Sequence, residues 1–144
     1  YYSSSDVAFK SRYEADQRYD EIKTGNIPLR GGWRVYSSGP GIYITLVISR
    51  LLGLRTDVCN IILDPVIPYE MDGVSAFLNF LGYPVTFSYA VKKGTFSPSA
   101  VSINGKDINF AYEENNYRRG GAIISKDKFI SMLNKQSNTV KVEL

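Results

Sequence analysis

The apolar residues of this chain change their spacing once, near Thr56. In "IYITLVISRLLGLR" they recur at helical intervals, so Ile44, Val47, Ile48, Leu51 and Leu52 share a face. In "PVTFSYAV" they alternate, with Val85, Phe87, Tyr89 and Val91 against Thr86, Ser88 and Ala90. No single element type buries both patterns. A helical stretch must therefore precede a strand-rich one, which is the α+β class. The predicted division is residues 1–56 and residues 57–144.

Within the first part, "SSSDVAFKSRYEADQRYDEIKTG" predicts a helix opened by Ser or Asp as N-cap. Val7, Ala8, Tyr13 and Ala15 lie at loose helical spacing, and Gly25 and Pro28 end the segment. Asp6, Asp16 and Asp20 read as cap and helix-surface residues. "IPLRGGWRVYSSGPG" then forms a long loop with four glycines and two prolines. The helix predicted over 40–52 is apolar nearly all round, because Ile42, Tyr43 and Leu46 widen its face, and burial on several sides is expected. Gly53 suits the left-handed position after a helix, with Leu54 as the apolar contact beyond it.

In the second part, "CNIIL" is a short strand ended by Asp64-Pro65. "VSAFLNFLG" and "PVTFSYAV" alternate on either side of Gly82-Tyr83-Pro84 and are expected to pair as a hairpin. Asn104-Gly105 is the strongest short hairpin signal in the chain. "SKDKFISMLN" predicts a brief helical segment capped by Ser125, and "TVKVEL" a last strand. Short strands separated by turn signals predict a small antiparallel β-sandwich.

Charge and composition exclude several functions. Seventeen basic and 14 acidic residues leave a formal net charge of +3, too little to argue for nucleic acid. The run Arg118-Arg119-Gly120-Gly121 fits either a phosphate-holding loop or a solvated one. The single cysteine, Cys59, precludes an internal disulfide, fits a reducing compartment and is expected to be buried and inert beside its strand. With no histidine, the chain itself holds no His-based zinc site, Ser-His-Asp triad or Cys-His pair. No metal site is expected. These residues contain no run of 18 apolar residues and no basic-then-apolar pattern before a cleavage site, and the first residue is Tyr1 rather than Met. The expectation is a cytoplasmic piece of a longer protein, with no membrane partner. Eleven tyrosines against one tryptophan suit strands and sugar stacking equally.

"YSSGPG", residues 36–41, stands at the mouth of the apolar helix. One reading is a cap and tight turn. The other is an anion seat: unpaired N–H groups of the first helical turn, the positive end of the macrodipole, the hydroxyls of Ser37 and Ser38, and two glycines that let an anion approach the backbone. Local chemistry alone leaves both open.

Three stretches together, "YYSSSDVAFKSRYEADQRYDEIKTG", "GGWRVYSSGPGIYITLVISRLLGLR" and "ILDPVIPYEMDG", resemble the C-terminal part of glycoside hydrolase family ninety-four, the inverting β-glucoside phosphorylases. The 1,2-β-oligoglucan phosphorylases are the nearest branch. The phosphorylase-like domain of cyclic β-1,2-glucan synthase is second. The resemblance is strong to about Thr56, good to about Val91 and thin beyond Phe110.

The resemblance implies the last helices of an (α/α)6 barrel followed by a small jelly-roll-like β-sandwich. It places Ser38 and Gly39 at the phosphate site, and Tyr1, Tyr2, Asp6, Arg12 and Tyr36 along the sugar site. Arg12 equally suits an exposed ion pair, and Trp33 suits loop packing or sugar stacking. No catalytic residue is assigned here: the general acid, an aspartate, and the remaining phosphate ligands would lie upstream. The implied partners are the rest of the parent polypeptide, a β-glucan oligosaccharide and phosphate; the apolar faces of the helix over 40–52 separately predict that the chain alone either pairs with its parent or self-associates. No cofactor is implied beyond inorganic phosphate as co-substrate. The rival classes are a non-catalytic carbohydrate-binding sandwich and a purely structural cap.

Overall fold

A computed structural model describes residues 8–28, 39 and 41–144, which fall into two compact units, Tyr1–Ile44 and Thr45–Leu144.

In the first unit, α1 spans Arg12–Arg18 and runs into a 3-10 turn at Tyr19–Ile22. Its start is later than the serine run predicted. Ala8 and Phe9 are not helical. Ser11 is the N-cap, and its hydroxyl accepts the Glu14 N–H at 3.2 Å, while the Glu14 carboxylate accepts the Lys10 N–H at 2.8 Å. Ser11-Arg12-Tyr13-Glu14 is a capping-box spacing, with the glutamate at the third helical position. Arg18 then bridges Glu14 and Glu21 at 2.8 and 2.9 Å. Gly25, at φ 79°, closes the segment as expected, and Ile22, Ile27 and Phe9 make a small cluster.

The predicted helix over 40–52 is found as α2, Ile42–Leu46, continuing as a π-helical turn over Val47–Leu51 in which the Leu52 N–H donates to the Val47 carbonyl at 2.9 Å. The wider turn holds Val47, Ile48 and Leu51 against the core, with Leu52 buried. The expected burial on several sides is not found: Ile42, Tyr43, Ile44 and Leu46 are 54%, 69%, 55% and 51% exposed. Gly53 follows at φ 67°, as predicted.

The second unit contains two sheets around one core. The first is ordered β1-β2-β8-β7, from β1 (Leu54–Thr56), β2 (Asn60–Leu63), β7 (Ala111–Tyr112) and β8 (Ala122–Ser125). The second is ordered β3-β4-β9-β5-β6, from β3 (Ser75–Phe80), β4 (Tyr83–Ala90), β5 (Ala100–Ile103), β6 (Lys106–Asp107) and β9 (Asn138–Glu143). Both are antiparallel at every pairing except β4 with β9, which is parallel.

Register explains the core. Phe87 stands beside Val140 and Tyr89 beside Val142, while Ile103 and Val101 flank the same two valines from the other side. These alternating residues face Ile61, Leu63, Ala122 and Ile124 of the first sheet in one buried cluster. The helix α3, Lys126–Ser131, adds Phe129, whose ring meets Phe80 edge-on at 6.0 Å. Ser125 occupies the N-cap position of α3 but makes no side-chain capping bond.

The boundary read at residue 56 from the change of period falls inside this unit. Val47, Ile48, Leu51, Leu52 and Leu54 all pack in the sandwich core, and Leu54–Thr56 is already a strand, too short to show a period of its own. Cys59 is exposed rather than buried. The Asp57 carboxylate accepts the backbone N–H groups of Cys59 and Asn60 at 2.7 and 2.6 Å, a tight turn that swings residue 59 outward before β2 begins. Those bonds, with the Asn60 side-chain amide foremost, hold the Asp57 carboxyl below its ordinary pKa.

Candidate functional site

Of the predicted site residues, Tyr1, Tyr2, Asp6, Tyr36 and Ser38 lie outside the described residues, as does Trp33; Gly39 and Arg12 are described. Arg12 opens α1 at the surface. Its Nη2 donates to the Tyr13 hydroxyl at 3.1 Å, and its guanidinium lies 5.0 Å from that ring's centroid.

Gly39 and Gly41 are exposed. Neither has a φ in the left-handed region, and among the described residues a Cβ on either would meet nothing within 4 Å. Elsewhere glycine is demanded by the fold. A Cβ at Gly53 would strike the Asp64 and Pro65 backbone, one at Gly120 the Glu113 carbonyl, and one at Gly121 the Asp64 Cβ. At Gly39 and Gly41 neither backbone nor packing within the described chain imposes glycine.

The opposite end of this helical run is held by donors from the sandwich. A helix leaves its last carbonyls unsatisfied. Here the Val66 N–H is shared between the carbonyls of Arg50 and Leu51 at 3.2 and 3.0 Å, and the Tyr89 hydroxyl donates to the Leu52 carbonyl at 2.8 Å. The Asp64 N–H continues the series to the Gly53 carbonyl at 2.9 Å.

The fold treats Arg118 and Arg119 differently: Arg119 is exposed, as the solvated reading expects, while Arg118 is drawn into an ion pair. Arg118 Nη2 donates to Asp64 Oδ2 at 2.9 Å. Its Nη1 lies 2.8 Å from Asp64 Oδ1 but donates to the carbonyls of Phe96 and Arg119, so Oδ1 receives charge attraction and no hydrogen bond. Arg55 pairs with both oxygens of Glu113 at 3.0 and 2.5 Å and reaches Asp64 at 3.3 Å. The Glu113 hydrogen bonds foremost, opposed by burial and helped by the charges of Glu113 and Asp64, raise the Arg55 pKa above its usual value. Two arginines thus meet two carboxylates, so the charges of Arg55 and Arg118 are already matched, while Arg119 stays exposed. Arg119 lies over the Tyr112 ring, 3.9 Å from its centroid.

Among the described residues no group of three or more His, Cys, Asp or Glu could hold a metal ion, and no helix is long and apolar enough to cross a membrane.

Residues 53–142 match the family model described as glycoside phosphorylase C-terminal domain. Over 126 residues, or 88% of this chain, the sequence is 38% identical to a protein named 1,2-beta-oligoglucan phosphorylase from Listeria innocua serovar 6a. The chain spans 11% of that protein's length. The matched residues run from Gly53 at the helix exit, through both sheets, to Val142 in the last strand, so the chain belongs to the glycoside phosphorylase C-terminal domain family.

Proposed function

We propose that this chain is the C-terminal part of an inverting β-glucoside phosphorylase acting on 1,2-β-oligoglucans. The observation that carries the reading is the 38% identity, across 88% of the chain, to a protein of that name. In such an enzyme phosphate attacks the anomeric carbon of the terminal β-glucosyl unit from the face opposite the leaving oxygen. An acid protonates that oxygen, the configuration inverts, and α-glucose 1-phosphate and a shortened glucan leave. Phosphate takes the place that water holds in an inverting hydrolase, and as an anion it needs no protein base. Catalysis then rests on holding the anion in line with preset donors.

In this reading Ser38 and Gly39, ahead of α2, supply part of the phosphate seat, and the open Cβ side of Gly39 supports it. Tyr1, Tyr2, Asp6, Arg12 and Tyr36 line the sugar site. The preceding helices belong to an (α/α)6 barrel, and the sandwich is its structural cap, a role favoured by the donors it directs at the helix end. No cofactor is needed, and the enzyme works in the cytoplasm.

The test is phosphorolysis of a β-1,2-linked oligoglucoside by the full-length parent, read as glucose 1-phosphate. The parent should release it and the isolated chain should not. Ser38→Ala in the parent should raise the phosphate KM by the loss of one hydrogen bond to a charged group, about 1.5–3 kcal/mol, and leave the glucan KM alone. A raised glucan KM with an unchanged phosphate KM would make the stretch a cap or a sugar contact. A parent that binds the glucan without phosphorolysis would leave the carbohydrate-binding reading standing instead.

A further inference from the structure

Asn104-Gly105 is the chain's one Asn-Gly dipeptide and forms the turn between β5 and β6, with φ 52° and 77°. The same dipeptide has a chemical weakness. With no side chain on Gly105, its amide nitrogen can reach the Asn104 Cγ when the backbone is free to turn. The N–Cγ bond forms, the Cγ–Nδ2 bond breaks, and ammonia leaves with the amide proton. Water then opens the succinimide to aspartate or isoaspartate.

The fold engages every polar atom of that carboxamide. Nδ2 donates to the Met132 carbonyl at 2.9 Å and to Asn138 Oδ1 at 3.0 Å, while Oδ1 accepts the Thr139 N–H at 3.0 Å. The Asn104 N–H donates to the Thr139 carbonyl at 2.8 Å, so residue 104 is tied to β9 by both backbone and side chain. Asn138 is 4% exposed and equally committed. Its Oδ1 also accepts the Asn134 N–H at 2.6 Å, and its Nδ2 donates to the carbonyls of Pro84 and Asn134 at 3.1 and 2.8 Å. Turning Cγ toward Gly105 breaks three hydrogen bonds and strips a donor from a buried amide.

We propose that Asn104 is a deamidation site closed by the folded sandwich and opened only when β5, β9 and the 132–138 connection separate, and that conversion then prevents return to the native network. A carboxylate in place of the amide removes the donor that Met132 O and Asn138 Oδ1 share, and sets negative charge against both acceptors. Isoaspartate also lengthens the backbone inside a two-residue turn whose register is Ile103 opposite Lys106. The consequence is a chemical clock that runs on time spent unfolded.

The intact protein is incubated in mildly alkaline buffer, with and without urea above its unfolding midpoint, and the peptide containing residue 104 is followed by mass spectrometry. Conversion in native buffer is expected to be slower by at least about tenfold, because it requires opening of the sandwich. On dilution from urea the converted chains should stay protease-sensitive while unconverted ones recover. Asn104→Asp, made genetically, tests the second half without the chemistry and should lower the urea midpoint or prevent folding. Equal conversion rates in the two buffers, or an Asn104→Asp protein with an unchanged midpoint, would overturn the proposal.

Discussion

The Tyr89 hydroxyl, on β4 of the five-stranded sheet, donates to the carbonyl of Leu52, the last residue before the left-handed Gly53. The two residues are 37 positions apart. One buried hydrogen bond therefore ties a helix end to the strand whose alternation builds the core, and it satisfies a carbonyl that has no further helical turn to accept.

Tyr89→Phe keeps the ring and removes the donor. The loss expected is about 1–3 kcal/mol, because a buried acceptor is left unpaired; a urea titration measures it. The same variant carries a pH signature. Burial raises the Tyr89 pKa well above that of a free tyrosine. The folded state thus holds this proton more tightly than the unfolded chain, so its contribution is complete below about pH 10, the unfolded value, and falls as pH rises toward the folded pKa. The stability difference between the native protein and Tyr89→Phe should shrink above pH 10. A constant difference across that range would mean the hydroxyl is not buried as described.

Gly53 and Gly94 both have left-handed φ, 67° and 82°, but only Gly53 faces backbone where a Cβ would stand. Gly94→Ala should cost about 1–2 kcal/mol, the strain of that conformation alone. Gly53→Ala should cost a further ~1–3 kcal/mol for overpacking against Asp64 and Pro65. Equal midpoints for the two variants would show that the close approach relaxes freely.

Asp64 sits between Arg55 and Arg118 with a side chain 11% exposed, so solvent screens it little. Asp64→Asn should destabilise by about 3 kcal/mol, the low end for breaking a buried pair. In a double-mutant cycle with Arg118→Met the two losses should be non-additive by about 1 kcal/mol or more. Additive losses would make the contact a bystander.

The exposed side chains of Ile42, Tyr43, Ile44 and Leu46 predict association of the isolated chain. Full burial of one such side chain is worth about 1.5–3 kcal/mol. Sizing of the isolated chain should show self-association that Ile44→Gln with Leu46→Gln abolishes. A monodisperse monomer of the unsubstituted chain would rule this out.

Local rules were enough for much of the fold. Alternation placed Val85, Phe87, Tyr89 and Val91 inside, Asn104-Gly105 turned where its backbone tolerance predicts, and Gly53 ended the helical run. Each depends on a few neighbouring residues, which is the range over which side-chain period and φ preference act. The resemblance to glycoside phosphorylases was likewise legible, because it rests on contiguous stretches such as "ILDPVIPYEMDG". Only the tertiary structure decided that Arg118 serves Asp64, 54 residues away, and that Arg55 serves Glu113, 58 residues away. It also decided that β4 and β9 run parallel. Those partnerships follow from which strands lie side by side and in what register, and a shift of one residue reverses every side chain in a strand. No property of Arg118 or Glu113 in its own segment carries that information, which is why a doublet of arginines beside two glycines left its role open until the sheets were in place.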